Sequence, residues 1–327
     1  MTSANADNHA LEIQRGGADT PGEDGDSRRL EVVEPAPSSR LGLLRTARPA
    51  HWVKNLLVFA APGTAGRLSD PRAVAVAAGT FGVFCLAASG SYFLNDALNI
   101  DADRLHPTKR RRPVASGEVG LGLAEALGVS LLITSVALAL VLAGWKLALV
   151  VAGYVALQPL YSLWLRNVAV ADMIAVASGF VLRAVAGGVA VGVPISRWFL
   201  IVTSFGSLFL VSGKRSAEHL DLGEQRARHR AALGGYSLGF LHYVRSVTSS
   251  VAIAAYCLWA FERGAAAPLA IAFQLSIIPF VLVTLRYAQL LDAGRGGCPE
   301  ELIFEDRALQ VLGLLWVASV AIGIHGG

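Results

Sequence analysis

The chain has 327 residues, of which 54% are hydrophobic and only 16% charged, with a formal net charge of +4 and a mean hydropathy of +0.52. Soluble domains carry about a quarter charged residues, so this composition excludes a soluble enzyme and points to a membrane protein. The basic residues are confined to particular stretches instead of covering a face; this excludes nucleic acid as a partner and assigns them to membrane topology and phosphate binding.

Residues 1–40 are rich in Asp, Glu, Gly, Ser and Pro and lack apolar clusters, which predicts a disordered tail. They also lack the basic-then-apolar pattern of a signal peptide, leaving the first membrane helix to serve as an internal, uncleaved signal. Residues 41–327 read as one membrane domain, because apolar stretches near the roughly 20 residues needed to cross a bilayer follow one another almost to the end. They predict an all-α polytopic bundle of nine transmembrane helices at 52–68, 72–95, 121–143, 146–165, 168–192, 197–213, 242–261, 265–286 and 308–325. The Pro62-Gly63 pair at the centre of the first span predicts a broken or tilted helix. Cys85 and Cys257 fall inside spans and Cys298 in a polar loop, so neither a disulfide nor a thiolate metal site is expected.

Arg40, Arg45, Arg48 and Lys54 share one side of this topology with Arg104, Lys109 to Arg112, Arg166, Lys214, Arg215, Arg226, Arg228, Arg230 and the 286–307 loop. The other side holds only Arg67, Arg72, Lys146, Arg197 and Arg263. By the positive-inside rule the N-terminus and the 96–118 and 214–241 loops are cytoplasmic, in a plasma (inner) membrane.

The second span runs into Asn95-Asp96-Ala97-Leu98-Asn99-Ile100-Asp101-Ala102-Asp103-Arg104 and then His106-Pro107-Thr108-Lys109-Arg110-Arg111-Arg112-Pro113. On a continuous helix, Asn95, Asp96, Asn99 and Asp103 lie within about a quarter turn of one another and Asp101 points away. Magnesium takes a few carboxylates and fills its other positions with water and phosphate oxygens, which this face supplies. Asp96 and Asp103 are therefore the candidate catalytic metal ligands, assisted by Asn95 and Asn99, and Lys109, Arg110 and Arg112 are candidates for gripping donor phosphates. A solvated topological anchor is the alternative for the basic run, but it does not explain four acid or amide groups on one face.

Farther along, Tyr161 and Arg166 close the fourth span at the same level, and either reach substrate or sit as interfacial side chains. Asp172, Gly179 and Arg183 share one helical line in the fifth span, so Arg183 is expected to face a cavity, with Asp172 or a substrate phosphate as its partner, or to form a structural ion pair. Lys214 and Arg215 end the sixth span beside Gly213, with Glu218 one turn past Lys214, a spacing that fits a phosphate site or plain helix support. Lys54 meets a substrate phosphate or anchors its helix at the head groups. Gly187 and Gly188 are expected to allow close helix packing. The histidines show no metal-ligand spacing.

The Asn95-Asp96 segment resembles the aspartate-rich signature of the UbiA prenyltransferase superfamily, Asn-Asp-x-x-Asp-x-x-x-Asp, with Asn99 standing where that pattern has Asp. Four blocks resemble its phosphoribosyl-transferring branch: Arg48-Pro49 through Trp52-Val53-Lys54-Asn55; Asn95-Asp96 through His106-Pro107-Thr108-Lys109-Arg110 and Arg112-Pro113; Tyr161-Ser162 through Asp172 to Arg183 and Gly187-Gly188; and Gly213-Lys214-Arg215 with Glu218. The resemblance implies a nine-helix bundle with a cytoplasmic-facing cavity open sideways to lipid. The implied reaction is Mg2+-dependent transfer of 5-phosphoribose from 5-phosphoribosyl 1-diphosphate to a polyprenyl (decaprenyl) phosphate, releasing pyrophosphate and feeding cell-wall arabinan synthesis. Lys54, Lys109, Arg110, Arg112, Tyr161, Lys214 and Arg215 then face the donor's phosphates and ribose, while Arg166, Asp172, Arg183 and Glu218 serve the acceptor phosphate or the structure.

Two other readings compete. An aromatic prenyltransferase of the same superfamily uses the same metal logic but needs fewer cations than a sugar with two phosphate groups meeting a lipid phosphate. A non-catalytic lipid-binding protein or transporter predicts ionisable residues deep on several spans, whereas here Arg183 is nearly alone at depth. A homo-oligomer is allowed by the sequence.

Overall fold

The apolar stretches fold as helices, since a segment in lipid must satisfy its backbone groups internally. The computed structural model describes residues 39–222, 231–264, 270–295 and 299–325. The expected tail up to residue 38, Arg226, Arg228, Arg230 and Cys298 lie outside these residues. We number the helices α1 (Arg40–Ala47), α2 (Ala60–Thr64), α3 (Pro71–Leu98), α4 (Ile100–Leu105), α5 (Leu121–Ala143), α6 (Trp145–Leu163), α7 (Ala171–Val191) and α8 (Arg197–Leu222). They continue as α9 (Ala231–Gly234), α10 (Leu238–Gly264), α11 (Ala270–Leu275), α12 (Ile277–Asp292), α13 (Pro299–Glu305) and α14 (Arg307–His325). A 3-10 helix, Pro49–Phe59, joins α1 to α2.

Neighbours in sequence pack as neighbours in space: α3 against α5, α5 against α6, α6 against α7, α7 against α8, α8 against α10 and α12 against α14. Gly144, at φ 79°, makes the tight reversal between α5 and α6, where a Cβ would be strained. In α3 and α7, 56% and 44% of the apolar window is buried against protein, but only 11% in α14, so α3 and α7 form the middle of the bundle. Their shared core joins Val58, Val83, Phe84, Ala87, Leu147, Tyr154 and Ala186. Outward residues such as Val141, Leu149 and Leu314 remain exposed apolar surface, as lipid contact requires.

Among the described residues, seven helices are long and apolar enough to cross a membrane, against nine expected spans. The two that fall short are the first and sixth. The sixth is α8, which at 26 residues runs past the expected end at 213 into a polar turn. The first is irregular, yet 3-10 geometry rises faster per residue than an α-helix; the 3-10 helix and α2 together extend to about 30 Å, roughly a hydrocarbon thickness.

The irregularity of that first span precedes the Pro62-Gly63 pair, which itself sits inside α2. Proline has no N–H, so Pro62 cannot bond the carbonyl of Val58 four residues earlier. That carbonyl packs on α7 instead: a Cβ added at Gly187 would lie 1.7 Å from the Val58 oxygen. Gly187 thus permits the close approach expected of it. The eighth span is also divided, into α11 and α12 at Ser276, whose hydroxyl donates to Phe273 O at 2.6 Å.

Candidate active site

At its C-terminal end α3 stops at Leu98, and Asn99, with φ −107° and ψ 15°, interrupts the helix before α4. Helical hydrogen bonds bridge the interruption: Asn99 N donates to Asn95 O at 3.2 Å and Asp103 N to Asn99 O at 2.8 Å. The common face therefore survives although the helix is not continuous. Asp96 and Asp103 are buried, at 2% and 4% exposure, whereas the Asp101 side chain is 94% exposed and lies 3.9 Å from Arg104. The Asn99 amide nitrogen donates to Asn95 O at 2.7 Å and to Asn95 Oδ1 at 3.3 Å, tying the two amides together.

Arginine joins the two carboxylates. Arg112 Nη1 donates to Asp96 Oδ1 at 3.1 Å and to Asp103 Oδ2 at 2.7 Å. Arg48 Nη2 donates to the same Asp96 oxygen at 2.7 Å. Pro49 disfavours the right-handed conformation for the residue before it, so α1 ends at Ala47 and Arg48 turns left-handed at φ 53°. Its guanidinium lies 4.7 Å from the Tyr92 ring centre, and the Tyr92 hydroxyl lies 3.1 Å from His51 Nδ1. Arg45 pairs with Glu118 at 3.2 Å, which ties α1 to the loop carrying the basic run. In that loop Lys109–Arg111 form one 3-10 turn, with Arg110 exposed and Lys109 half-buried.

Four sequence-predicted residues, Tyr161 of α6, Asp172 of α7, and Arg215 and Glu218 of α8, meet in a second cluster. Asp172 is fully buried. Arg215 holds it with two bonds, Nε to Oδ2 at 2.6 Å and Nη2 to Oδ1 at 3.0 Å. The Tyr161 hydroxyl donates to Asp172 Oδ1 at 3.0 Å, and Arg215 Nη1 donates to Glu218 at 2.6 Å. A tight turn at Val170, φ 67° with Ala171 N bonded to Ala169 O at 2.8 Å, launches α7 so that Asp172 enters this cluster. Positive φ is strained for a β-branched residue, and the Tyr236 hydroxyl accepts the Val170 N–H at 2.8 Å to hold it.

One expected pairing does not form. Asp172 does not partner Arg183: eleven residues along α7 separate them by about 16 Å, beyond side-chain reach however well their directions align. Glu218 accepts from Arg215, three residues back. Arg183 instead donates to Asn55 Oδ1 at 2.7 Å, Gly179 O at 2.7 Å and the Tyr154 hydroxyl at 2.8 Å. Its guanidinium lies 4.6 Å from the Tyr154 ring centre. Asn55 is fully buried, so this network fixes the 3-10 helix against α7. Lys54 lies half-buried on that 3-10 helix, Arg166 in the short turn closing α6, and Lys214 beside Arg215 on α8.

The roles of Arg48, Asn55, Tyr92 and Tyr154 emerge only from the structure. Arg48 and Asn55 lie in the block that includes Trp52 and Lys54, but nothing in one-dimensional spacing links them to Asp96 or Arg183. Among the described residues no three His, Cys, Asp or Glu side chains come together as a metal cluster.

The profile of the UbiA prenyltransferase family matches residues 56–301. The decaprenyl-phosphate phosphoribosyltransferase of Mycolicibacterium smegmatis is 42% identical over 299 residues, covering 87% of this chain and 92% of that protein. The protein of the same name in Mycobacterium tuberculosis is 41% identical over 301 residues, covering 90% of this chain and 98% of that one. In three dimensions the chain is similar to a UbiA homolog from Archaeoglobus fulgidus bound to DMAPP and Mg2+, with a TM-score of 0.66 at 18% identity, covering 86% of this chain and 97% of that one. The same homolog bound to GPP and Mg2+ gives a TM-score of 0.65 at 17% identity, covering 86% and 98%.

Proposed function

The chain belongs to the UbiA prenyltransferase family, and from that premise we propose that it is a multi-pass membrane glycosyltransferase. It moves 5-phosphoribose from 5-phosphoribosyl 1-diphosphate to decaprenyl (polyprenyl) phosphate at the cytoplasmic face of the plasma membrane. Relatives of that name at 40–42% identity support the substrates; a role for the product in cell-wall arabinan synthesis is the further expectation that the family resemblance carries.

The observation that carries the reading is one nitrogen, Arg112 Nη1, within hydrogen-bonding distance of two buried carboxylates from different helices. Asp96 and Asp103 are thus close enough to share one cation, and magnesium needs only one or two protein carboxylates when substrate phosphates complete its shell. The donor set fits. Asp96 and Asp103 would hold the ion, with Asn95 and Asn99 alongside. When bound, the ion supplies Lewis-acid stabilisation of the departing diphosphate.

Lys54, Lys109, Arg110, Arg112 and Lys214 bind the donor's phosphate groups and hold its anomeric carbon toward the acceptor. Tyr161 borders the ribose, oriented by the buried Asp172–Arg215–Glu218 network, and Arg166 stands ready for the lipid phosphate. Arg183 is structural in this reading, because Asn55, Gly179 and Tyr154 take its donors. A lipid-phosphate oxygen forms the new bond to C1 as the C1–O bond to diphosphate breaks. That oxygen is already anionic, so no general base is required; positioning and charge do the catalysis.

The test is to incubate purified full-length protein with labelled 5-phosphoribosyl diphosphate and polyprenyl phosphate, with and without magnesium. Label is expected in the lipid fraction only with magnesium. Transfer from geranyl diphosphate to an aromatic acceptor, with no label from the sugar donor, would favour the aromatic prenyltransferase reading. Orientation is checked separately: a cysteine at Ser116 should react only with reagent on the cytoplasmic side.

A further inference from the structure

The four side chains at the proposed metal site sum to no net charge, two carboxylates against two guanidiniums. Arg112 Nη1 lies between Asp96 and Asp103, at 3.1 Å and 2.7 Å, on the ground a shared cation needs. Arg48 takes the same Asp96 oxygen at 2.7 Å. An arginine cannot leave by losing its proton, so it can only move. Both are placed to move: their side chains are 22% and 27% exposed, while the aspartates they hold are nearly sealed. Arg112 stands in the loop after a three-residue 3-10 turn, and Arg48 where α1 ends.

We propose that Arg48 and Arg112 are exchangeable counter-ions. They hold Asp96 and Asp103 in the free protein and transfer to the donor's diphosphate when a divalent cation takes the carboxylates. Metal and diphosphate then bind as one unit, and Arg48 is a donor-phosphate residue alongside Arg112. The inference rests on the reading that Asp96 and Asp103 hold the metal.

The charge balance supports it. A dication arriving alone displaces two guanidiniums from buried carboxylates and leaves a surplus of two positive charges, which a low-dielectric site opposes. A diphosphate arriving with the metal removes that surplus, and its oxygens match the planar arginine fork that the carboxylates release. Each ligand therefore raises the other's affinity by the same factor.

Equilibrium dialysis of Mn2+ against purified full-length protein, with and without saturating pyrophosphate, tests this. In the unaltered protein, pyrophosphate should tighten Mn2+ binding about tenfold or more, within the usual range of coupling between sites. Arg112→Gln removes the competing cation, so Mn2+ alone should bind more tightly than in the parent, by about tenfold, while the pyrophosphate enhancement shrinks. Arg48→Gln should change both quantities in the same directions by less. A misfolded variant loses metal, so a gain in affinity cannot come from damage. Asp96→Asn should abolish Mn2+ binding under both conditions. If it does, but both arginine variants bind Mn2+ alone no more tightly than the parent and keep the full enhancement, the exchange proposal is overturned and the metal-site reading stands. If Asp96→Asn binds Mn2+ like the parent, the metal-site reading falls and the exchange proposal with it.

Discussion

Asp96 and Asp172 are both buried aspartates held by arginine, and they differ in how their arginines meet solvent. Around Asp96 the arginine side chains are 22% and 27% exposed; around Asp172, Arg215 is 3% exposed and bonded to two carboxylates and a tyrosine. The first arrangement can exchange partners with an incoming phosphate. The second is a sealed joint that locks α6, α7 and α8 together at the end where Tyr161 and Lys214 face substrate in our reading. Burial of a charged pair thus does not by itself mark chemistry: accessibility of the cation separates a reactive pair from a structural one.

Neutralising each aspartate in turn should separate the two clusters by which property fails. Asp96→Asn and Asp103→Asn should each lower turnover about a hundredfold or more while leaving thermal unfolding in detergent nearly unchanged. Asp172→Asn and Arg215→Met should instead destabilise by about 3–5 kcal/mol, because each strands a buried charge, and unfolding temperature should drop before activity is assayed. An Asp172→Asn protein that melts normally but is inactive would make both clusters catalytic and erase the distinction. Smaller effects sharpen the first cluster: Lys109→Ala and Arg110→Ala should fold normally and raise the donor KM about tenfold each. Unchanged KM in both would return the basic run to membrane topology.

Much of this was legible in sequence for a definite reason. Helical periodicity is local, so the faces of α3 and α4 could be drawn: Asp96 and Asp103 turn inward together and Asp101 outward, even across the interruption at Asn99. Membrane-length apolar runs likewise gave an all-α membrane bundle. What could not be read depends on contacts distant in sequence. Arg183 shares a helical line with Asp172, yet direction is not distance, and its true partners Asn55 and Tyr154 come from other elements, 128 and 29 residues away. The first span was expected to break at Pro62-Gly63, but the proline acts four residues upstream, on the Val58 carbonyl that Gly187 admits. Arg48 reaches Asp96 across 48 residues, and only the fold brings them together.

Whether the metal rests on Asp96 and Asp103 with Asp101 outside is decided by titrating magnesium in the lipid-transfer assay for Asp96→Asn, Asp103→Asn, Asp101→Asn and Asn99→Asp. Near-complete loss is expected in the first two and turnover within about twofold of the parent for Asp101→Asn, as befits an exposed surface site. Asn99→Asp, which adds a carboxylate beside the other ligands, should stay active and reach half-maximal rate at a lower magnesium concentration. Loss in Asp101→Asn equal to that in Asp96→Asn, with Asp103→Asn active, would move the metal off this helical face and onto Asp101.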